Sequence, residues 1–442
     1  MVYFGLALHE RPPMADVRAF RGLRYAFQAR TSLTDLICPP YDVISPSQQR
    51  ELETRSPHNA VHIELPQGEG DAMYQNAAAL FARWRQEGVL MRDAAPSYYF
   101  MRHTFVYNNK AMARWGLMAA VRLESYDKRV VLPHEETRAQ AKEDRFKLMT
   151  ACKANLSPIM CLYRDPQHRI RQAIESTGWS TPTGKASYLG DELSLWAIKG
   201  PALDSAVQAT LKDAPLFIAD GHHRYETALR YRDEQRRKRG PLAESDACNY
   251  VMMTLIEFQD PGLLVLPYHR AIGGINAATV TALSNKLQEV FTLEAMTPQP
   301  ETAQAMEDAV RQKSGVCMGL LGPDGEGPYL LTLRGGKVRD GLAALPGGVA
   351  LRESESWVLH QAVFAPVLGA SDAPQVSYYH DAQEAWDGVL SGKLQMAFFT
   401  KPFSLDLFQK VVAAGHKLPP KSTYFHPKLP TGLVFNPLEG EG

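Results

Sequence analysis

Residues 215–229 read PLFIADGHHRYETAL, and this stretch decides how the chain folds around its polar residues. The apolar run at 216–219 predicts a short buried strand, and residues 225–239 have the composition of a helix. Between these two segments lie Asp220, Gly221, His222, His223 and Arg224. The sequence therefore predicts a strand–turn–helix junction whose polar side chains occupy consecutive positions.

The chemistry of this junction favours anions. The first N–H groups of a helix have no intrahelical partner and carry partial positive charge, so phosphate binds there readily. Gly221 allows a tight turn and a close ligand approach. The Arg224 guanidinium either donates to two phosphate oxygens or forms an ion pair with Glu226 or Asp220. His222 and His223 either contact phosphate or hydrogen-bond within the fold. No zinc-type ligand spacing surrounds them, so we predict no protein-held metal site.

Three carboxylates near proline or glycine are candidates for catalysis. Asp220 either caps the helix or acts as a base or Mg²⁺ ligand beside the phosphates. Asp42 follows Pro39-Pro40 in a rigid loop, where it either closes a turn or presents a catalytic carboxylate. Glu64 lies within residues 61–65, whose alternation predicts a strand, and is either a base for a substrate hydroxyl or an exposed strand-end acid.

A fourth candidate carboxylate, Glu135, opens a highly charged segment. The segment does not continue as the zinc protease motif HExxH, because Arg138 stands at the position of the second histidine. It is either a loop that brings Glu135, Lys142 and Arg145 to a charged substrate or a solvated loop. In the Pro-rich tail, Lys421 either closes over phosphates or is a surface lysine.

Composition excludes several classes of protein. The chain has 442 residues, 45% hydrophobic and 22% charged, with a formal net charge of zero, which is typical of a globular protein without a nucleic-acid footprint. Its five cysteines form no CxxC pair, as expected of reduced thiols. No run of 18 apolar residues and no signal-peptide pattern occurs, so we expect a cytoplasmic protein without membrane partners.

Two domains are predicted, at residues 14–271 and 272–442, with Met14 as a natural start. The first domain contains a predicted helix at 73–87 and two strands, at 98–106 and 115–123, joined by Asn108-Asn109. The second alternates helical patterns with short strands and ends in the Pro-rich tail. The fold class is therefore α/β or α+β, with a mixed sheet that carries the strand–turn–helix junction and a second α/β portion.

Several motifs together resemble the bacterial family of domain of unknown function 1015. They are Phe20-Arg21-Gly22-Leu23-Arg24-Tyr25, Pro39-Pro40-Tyr41-Asp42-Val43-Ile44, His134-Glu135 with Asp144-Arg145, residues 219–228, Leu266-Pro267 with His269-Arg270, and residues 420–434. Because the motifs extend over nearly the whole chain in order, the resemblance is specific. It adds His269 and Arg270 to the candidate phosphate-binding residues, although the family name supplies no function.

A narrower resemblance does suggest a function. Asp220-Gly221-His222-His223-Arg224 is similar to the phosphate-binding motif of the ParB/sulfiredoxin superfamily, especially the DGHHR form of ADP-dependent free-serine kinases. This resemblance implies a ParB-like strand–turn–helix that holds nucleotide phosphates on backbone amides. Sulfiredoxins need a thiol in the motif, and His222 stands at that position here, so sulfiredoxin chemistry is disfavoured.

The sequence thus favours nucleotide-dependent phosphoryl transfer on a small hydroxyl-bearing metabolite, with serine or phosphoserine as the leading candidate. Mg²⁺ and ADP or ATP are the implied cofactor and co-substrate. Two alternatives stay open: a phosphoester hydrolase that needs no nucleotide, and a non-catalytic sensor of nucleotides or phosphorylated metabolites. The sequence does not choose among the carboxylates, identify the substrate or fix the oligomeric state.

Overall fold

The computed structural model describes residues 15–26, 32–179, 181–212, 214–323, 326–345, 347–369 and 375–440, so the predicted start at Met14 lies outside the described residues. Within them the chain forms two compact units. The first comprises residues up to 133, residues 137–263 and the tail from 427, and the second comprises residues 134–136 and 264–426. The predicted domains change over at 271/272, whereas the units change over at 263/264 and the tail returns to the first unit.

The first unit is built on a large mixed sheet. Its strands follow the order β6-β11-β8-β12-β5-β4-β10-β9, with β1 added beside β5. The strands of the unit are β1 (Val17–Arg18), β2 (Leu23–Tyr25), β3 (Leu90–Arg92), β4 (Tyr98–Tyr107), β5 (Lys110–Arg122), β6 (Val131–Leu132), β7 (Ala154–Asn155), β8 (Ile159–Tyr163), β9 (Gly184–Tyr188), β10 (Asp191–Ile198), β11 (Leu216–Asp220), β12 (Tyr250–Glu257) and β21 (Asn436–Pro437). The β6–β11 and β8–β12 pairs are parallel and the other pairs of the large sheet are antiparallel, which confirms the predicted mixed sheet.

The helices of the first unit are α1 (Pro46–Arg55), α2 (Val61–Glu64), α3 (Ala72–Gln86), α4 (Ala139–Cys152), α5 (Arg169–Ser176), α6 (Pro201–Leu211) and α7 (His222–Arg239), with 3₁₀ turns at Leu33–Asp35, Tyr41–Val43, Tyr126–Lys128 and Ala247–Asn249. Of these helices, α4 to α7 contribute to the core that packs on the large sheet. One face of the sheet packs into a continuous core that includes Phe100, Ile159, Ile218, Tyr225 and Met253. Burial of this apolar face is the main stabilising contribution to the unit.

The second unit has its own sheet, ordered β15-β17-β16-β19-β14-β18, with antiparallel neighbours throughout this order. Its strands are β13 (Leu264–Leu266), β14 (His269–Ile272), β15 (Phe291–Ala295), β16 (Cys317–Leu321), β17 (Tyr329–Leu333), β18 (Val376–Tyr379), β19 (Met396–Phe399) and β20 (Tyr424–His426). Its helices are α8 (Ala277–Val290), α9 (Ala303–Arg311), α10 (Lys337–Ala344), α11 (Glu355–Leu359), α12 (Ala365–Leu368), α13 (Ala382–Leu390) and α14 (Leu405–Ala413), with a 3₁₀ turn at Val349–Glu353 and a π-helical turn at His360–Phe364.

Local sequence signals account for several of these boundaries. Asn108 and Asn109 both have positive φ, which closes the β4–β5 hairpin with the twist that a two-residue loop needs. Ser45 caps α1 by accepting from the Gln48 N–H, and Pro46 occupies the first turn. The strand predicted at 61–65 is wrong, because residues 61–64 form the short helix α2. The side chain of Asn59 accepts from the Val61 N–H at 3.0 Å and so supports the start of that helix.

Candidate functional site

The predicted junction is present in the first unit. Strand β11 ends at Asp220, Gly221 adopts the left-handed conformation (φ 97°, ψ 28°), and α7 begins at His222. Gly221 occupies the N-cap position, so Asp220 is not the cap of the helix. A Cβ atom on Gly221 would lie 3.1 Å from Arg224 Nε, so glycine also leaves room for the arginine to fold back over the turn.

The polar groups of the turn form an ionic cluster. Arg224 Nη2 donates to Asp220 Oδ2 at 2.6 Å, Lys428 Nζ donates to Asp220 Oδ1, and Arg224 Nη1 donates to the carbonyl oxygen of Pro158. Burial raises the pKa of the Asp220 carboxyl, but the charges of Lys428 and Arg224 outweigh that effect and hold this pKa well below its usual range. Asp220 is therefore an ionised carboxylate with both oxygens engaged.

The two histidines of the turn have different surroundings. His222 is buried, and His223 is half-buried with its Nε2 accepting from the backbone N–H of Arg138 at 2.9 Å. That bond requires an unprotonated Nε2, and burial lowers the pKa of His223 in agreement with it. Glu226 accepts from Lys142 Nζ at 2.9 Å, so the first turns of α4 and α7 are joined by polar contacts.

Glu64 lies at the end of α2 and is buried, with only 2% of its surface exposed. The interpretation as an exposed strand-end acid is therefore wrong. Glu64 Oε1 accepts from the Ser157 hydroxyl at 2.7 Å, and Arg145 Nη1 lies 3.6 Å from the same oxygen. Ser157 Oγ also lies 2.7 Å from Thr431 Oγ1, and since a carboxylate can only accept, Thr431 must donate to Ser157.

These groups line one small pocket of the first unit. Its walls combine polar side chains with apolar ones: Glu64, Arg145, Asn155, Ser157 and Arg224, together with Leu148, Met149, Ala154, Leu156 and Val251. Its volume of about 30 Å³ suffices for one or two water molecules. The pocket can therefore take the end of a small molecule, such as a hydroxymethyl group, rather than a whole metabolite.

The proline-braced loop lies beside the same residues. Tyr41 and Asp42 belong to a 3₁₀ turn that follows Pro40, and the Arg145 guanidinium lies 4.2 Å from the centre of the Tyr41 ring. Burial raises the pKa of Tyr41 to about 12. Asp42 is exposed, and its charge acts on both His223 and Arg224, so the loop and the turn are electrostatic neighbours.

The remaining predicted site residues belong to the second unit. Glu135 Oε1 lies 3.7 Å from His134 Nε2. His269 is buried, with its Nε2 3.3 Å from Glu307 Oε1. Arg270 is buried and donates to the carbonyl oxygens of Tyr268 and Lys421. Roles for Glu135, His269, Arg270 and Lys421 in phosphate binding or catalysis stay predictions.

The implied Mg²⁺ ion would need ligands beyond the side chains of the described residues. No group of three or more His, Cys, Asp or Glu side chains able to hold a metal occurs in the described part of the chain. Mg²⁺ in nucleotide-dependent enzymes takes most of its ligands from phosphates and water, with one or two carboxylates from the protein. Asp42 is an exposed carboxylate near the turn that meets this need.

Comparison with known proteins identifies the family. Residues 17–347 match the family model described as "Protein of unknown function (DUF1015)", and the chain belongs to this family. No curated protein matches the chain. Among the described residues, no helix has the length and apolar character needed to cross a bilayer.

Solved structures that match the chain at low identity include the following three. A conserved hypothetical protein from Pyrococcus furiosus matches with 15% identity over 72% of this chain and 94% of its own, at a TM-score of 0.35. A free serine kinase in complex with AMP matches with 16% identity over 70% and 86%, at 0.33. SbnI from Staphylococcus aureus, with a C-terminal truncation, matches with 13% identity over 73% and 87%, at 0.36.

Sequence reasoning missed three residues of the pocket region. Asn155 and Ser157 precede strand β8, and Thr431 lies in the Pro-rich tail. The residue types of Asn155 and Ser157 gave no specific signal, because small polar residues between two strands commonly form turns. Thr431 had no local signal, since its partner Ser157 lies 274 positions away.

Proposed function

We propose that this protein transfers a phosphoryl group between a nucleotide and a small hydroxyl-bearing metabolite, with serine and phosphoserine as the first pair to test. The main support is that Glu64 and Arg224 line one pocket. Arg224 also belongs to the first turn of α7, so a single residue links the phosphate-type helix start to a buried carboxylate. Phosphoryl transfer requires mainly positioning and charge neutralisation, which such an arrangement supplies.

The nucleotide phosphates bind at the start of α7 in this proposal. The N–H groups of the first turn of a helix attract anions. Arg224 and Lys428 both pair with the carboxylate of Asp220, so two cationic side chains lie beside this turn. Arg224 Nε is buried and has no hydrogen-bond partner among the described residues, and a phosphate oxygen would provide one.

Glu64 is the proposed acceptor of the substrate hydroxyl proton. A general base needs a free oxygen within hydrogen-bond reach of that proton. Asp220 is less suited, because both of its oxygens are engaged and its pKa is held low. Only one oxygen of Glu64 accepts from Ser157, in a pocket of the size of a hydroxymethyl group. Asp42 would accompany the nucleotide through its Mg²⁺ ion.

Nucleotide titrations of the wild-type protein and Arg224→Lys test the proposal. Lysine keeps the positive charge but removes Nε and the planar guanidinium, so we expect the affinity for ADP or ATP with Mg²⁺ to fall at least tenfold. Arg232→Lys is the matched control, because Arg232 is a buried arginine of the same helix that donates to the carbonyl oxygen of Leu123. Equal nucleotide affinity in Arg224→Lys and the wild type would contradict the proposal.

Turnover assays then separate the alternatives. Formation of phosphoserine from serine and a nucleotide supports the transferase. Phosphoester cleavage without any nucleotide would instead assign a hydrolase to the same pocket. Tight nucleotide binding without turnover of serine, glycerate or phosphoserine would assign a sensor.

A further inference from the structure

Asn155 uses only half of its side-chain amide. Its Oδ1 accepts from the Met252 backbone N–H and from Asn436 Nδ2, both at 3.0 Å. Because only the amide oxygen can accept from a backbone N–H, these bonds identify the Oδ1 end of the amide. Nδ2 is therefore the end that faces away from them. Nδ2 has no hydrogen-bond partner among the described residues, and Asn155 is buried, with only 3% of its surface exposed.

A buried amide donor without an acceptor is rare and destabilising, and a missing ligand is one of its regular explanations. Asn155 lines the same small pocket as Glu64. The pocket therefore combines an N–H donor that lacks an acceptor with a carboxylate that can accept a further hydrogen bond. A hydroxyl group, with one proton to donate and lone pairs to accept, matches both.

The charges around the pocket favour a neutral group over an anion. Arg145 faces two carboxylates, with its Nη2 2.6 Å from Asp144 Oδ2 and its Nη1 3.6 Å from Glu64 Oε1. Arg224 is paired with Asp220. The Arg145 guanidinium is thus already neutralised, and a carboxylate entering the pocket would lie beside Glu64 and add an uncompensated charge to a buried site.

We propose that Asn155 is a specificity-determining residue whose side-chain amide donates a hydrogen bond to the substrate hydroxyl and orients that hydroxyl toward Glu64. The inference deepens the proposed function and rests on it, since it identifies the substrate end that enters the pocket as a primary alcohol. A site that hydrogen-bonds a hydroxyl discriminates strongly against the same molecule without it, because the polar groups of the site are then left unpaired. Asn155 is predicted to supply part of that discrimination.

Matched ligand pairs test this role by binding alone. Serine and alanine differ in the terminal hydroxyl, and so do glycerate and lactate. We expect the wild-type protein to bind the hydroxyl member of each pair about 10- to 100-fold more tightly. In Asn155→Asp at pH 8, which keeps the acceptor for Met252 but loses the donors, this ratio should fall to about threefold or less.

Two further variants keep the test decisive. Asn155→Ala should lose the discrimination in the same way if Asn155→Asp does not fold. Asn249→Asp is the matched control, because Asn249 is a buried asparagine of the same unit whose Nδ2 donates to the Ala243 carbonyl, and its ratio should equal that of the wild type. Melting temperatures of all variants report whether they fold.

The possible outcomes separate this inference from the proposed function. An unchanged ratio in both Asn155 variants would overturn the inference, as would an equal loss of affinity for both members of a pair, which would assign the amide to a shared group such as the carboxylate. Failure of all four probes to bind the wild-type protein would also overturn it. Loss of the ratio in a protein that transfers no phosphate would uphold the inference and refute the proposed function.

Discussion

The ionic cluster and the small pocket are two polar regions of the first unit. Their carboxylates differ in how many of their oxygens have hydrogen-bond partners. In the cluster, Asp220 has both oxygens engaged by cationic side chains. In the pocket, Glu64 accepts one hydrogen bond from a neutral hydroxyl, and Asn155, which lines the same pocket, has an Nδ2 without a hydrogen-bond partner among the described residues. A saturated group contributes to the fold, whereas an unsaturated group in a cavity is available to a ligand. On this difference we propose a structural role for Asp220 and a chemical role for Glu64.

The largest effect is expected for Glu64→Gln. Glutamine is nearly isosteric and can still accept from Ser157, but it cannot take up the substrate proton. Loss of a general base lowers turnover by about 10²- to 10⁴-fold, and the nucleotide affinity should stay within about twofold of the wild type. Single-turnover kinetics with serine and nucleotide measures the first quantity, and calorimetry measures the second.

Glu257→Gln is the matched control for that variant. Glu257 is a half-buried carboxylate of the same unit that accepts from His168 and is not among the residues that line the pocket. Its replacement should leave turnover unchanged. Full activity of Glu64→Gln would contradict the role of Glu64 as the base and with it the proposed difference between the pocket and the ionic cluster.

A large loss of stability, without a change of chemistry, is expected for Asp220→Asn. The substitution removes the carboxylate charge that pairs with the mostly buried side chains of Lys428 and Arg224, and removal of one partner from such a site costs about 3 kcal/mol in the free energy of unfolding. Urea denaturation measures it. Glu143→Gln, which breaks the exposed pair between Glu143 of α4 and Arg230 of α7, should cost less than about 1 kcal/mol.

The low pKa of Asp220 predicts that the stability of the protein depends on pH in the acid range. The folded pKa of Asp220 is lowered from its ordinary value of 3.8, so its contribution to stability is present above about pH 4 and is lost as the pH falls toward the folded pKa. Asp220→Asn should therefore lose less stability than the wild type between pH 5 and pH 3. Parallel pH profiles of the two proteins would contradict the ionic account of the cluster.

A moderate effect is expected for Ser157→Ala. The variant removes the hydroxyl that fixes Glu64 Oε1, and loss of one hydrogen bond to a charged group corresponds to about a tenfold decrease in kcat. KM should change little, because Ser157 positions the base. Ser157→Thr keeps a hydroxyl and should restore most of the rate. A change confined to KM would instead assign Ser157 to substrate binding.

The smallest effect is expected at His223. Burial lowers the pKa of this histidine below 6.5, and its Nε2 accepts from the Arg138 N–H only while it is unprotonated. As the pH falls, His223 therefore takes up a proton at a higher pH in the unfolded chain than in the folded protein. Its contribution to stability is complete above pH 6.5 and is lost as the pH falls below it. His223→Gln keeps an acceptor, so its melting temperature should decrease less than that of the wild type between pH 7.5 and pH 5.5.

Local signals made part of this structure predictable from the sequence. The apolar run before Gly221, the glycine itself and the helix-forming residues after it predicted β11, the turn and α7, which the structure contains. The pattern at 61–65 was ambiguous, because a few alternating residues fit one helical turn as well as a strand. The side chain of Asn59, which donates to the carbonyl oxygens of Asp35 and Ile37, ties that segment to a distant part of the chain and supports the helix.

The pocket was only partly predictable, because its contacts join residues that are far apart along the chain. Glu64 and Arg224 were recognisable as single candidates, but Ser157 lies 93 positions from Glu64 and Lys428 lies 208 positions from Asp220. Such contacts follow from the packing of strands and the return of the tail to the first unit. The ionic role of Asp220 in particular depends on Lys428, which no local motif connects to it.

The most direct test of the central claim is the stoichiometry of products when the wild-type protein is incubated with Mg²⁺, nucleotide and serine, measured by phosphorus NMR and mass spectrometry. If the turn and the pocket form one transfer site, each phosphoserine formed is matched by one nucleotide that has lost a phosphoryl group, and free phosphate stays at background. Free phosphate released without phosphoserine, or no consumption of nucleotide in the presence of a bound hydroxyl substrate, would contradict the account.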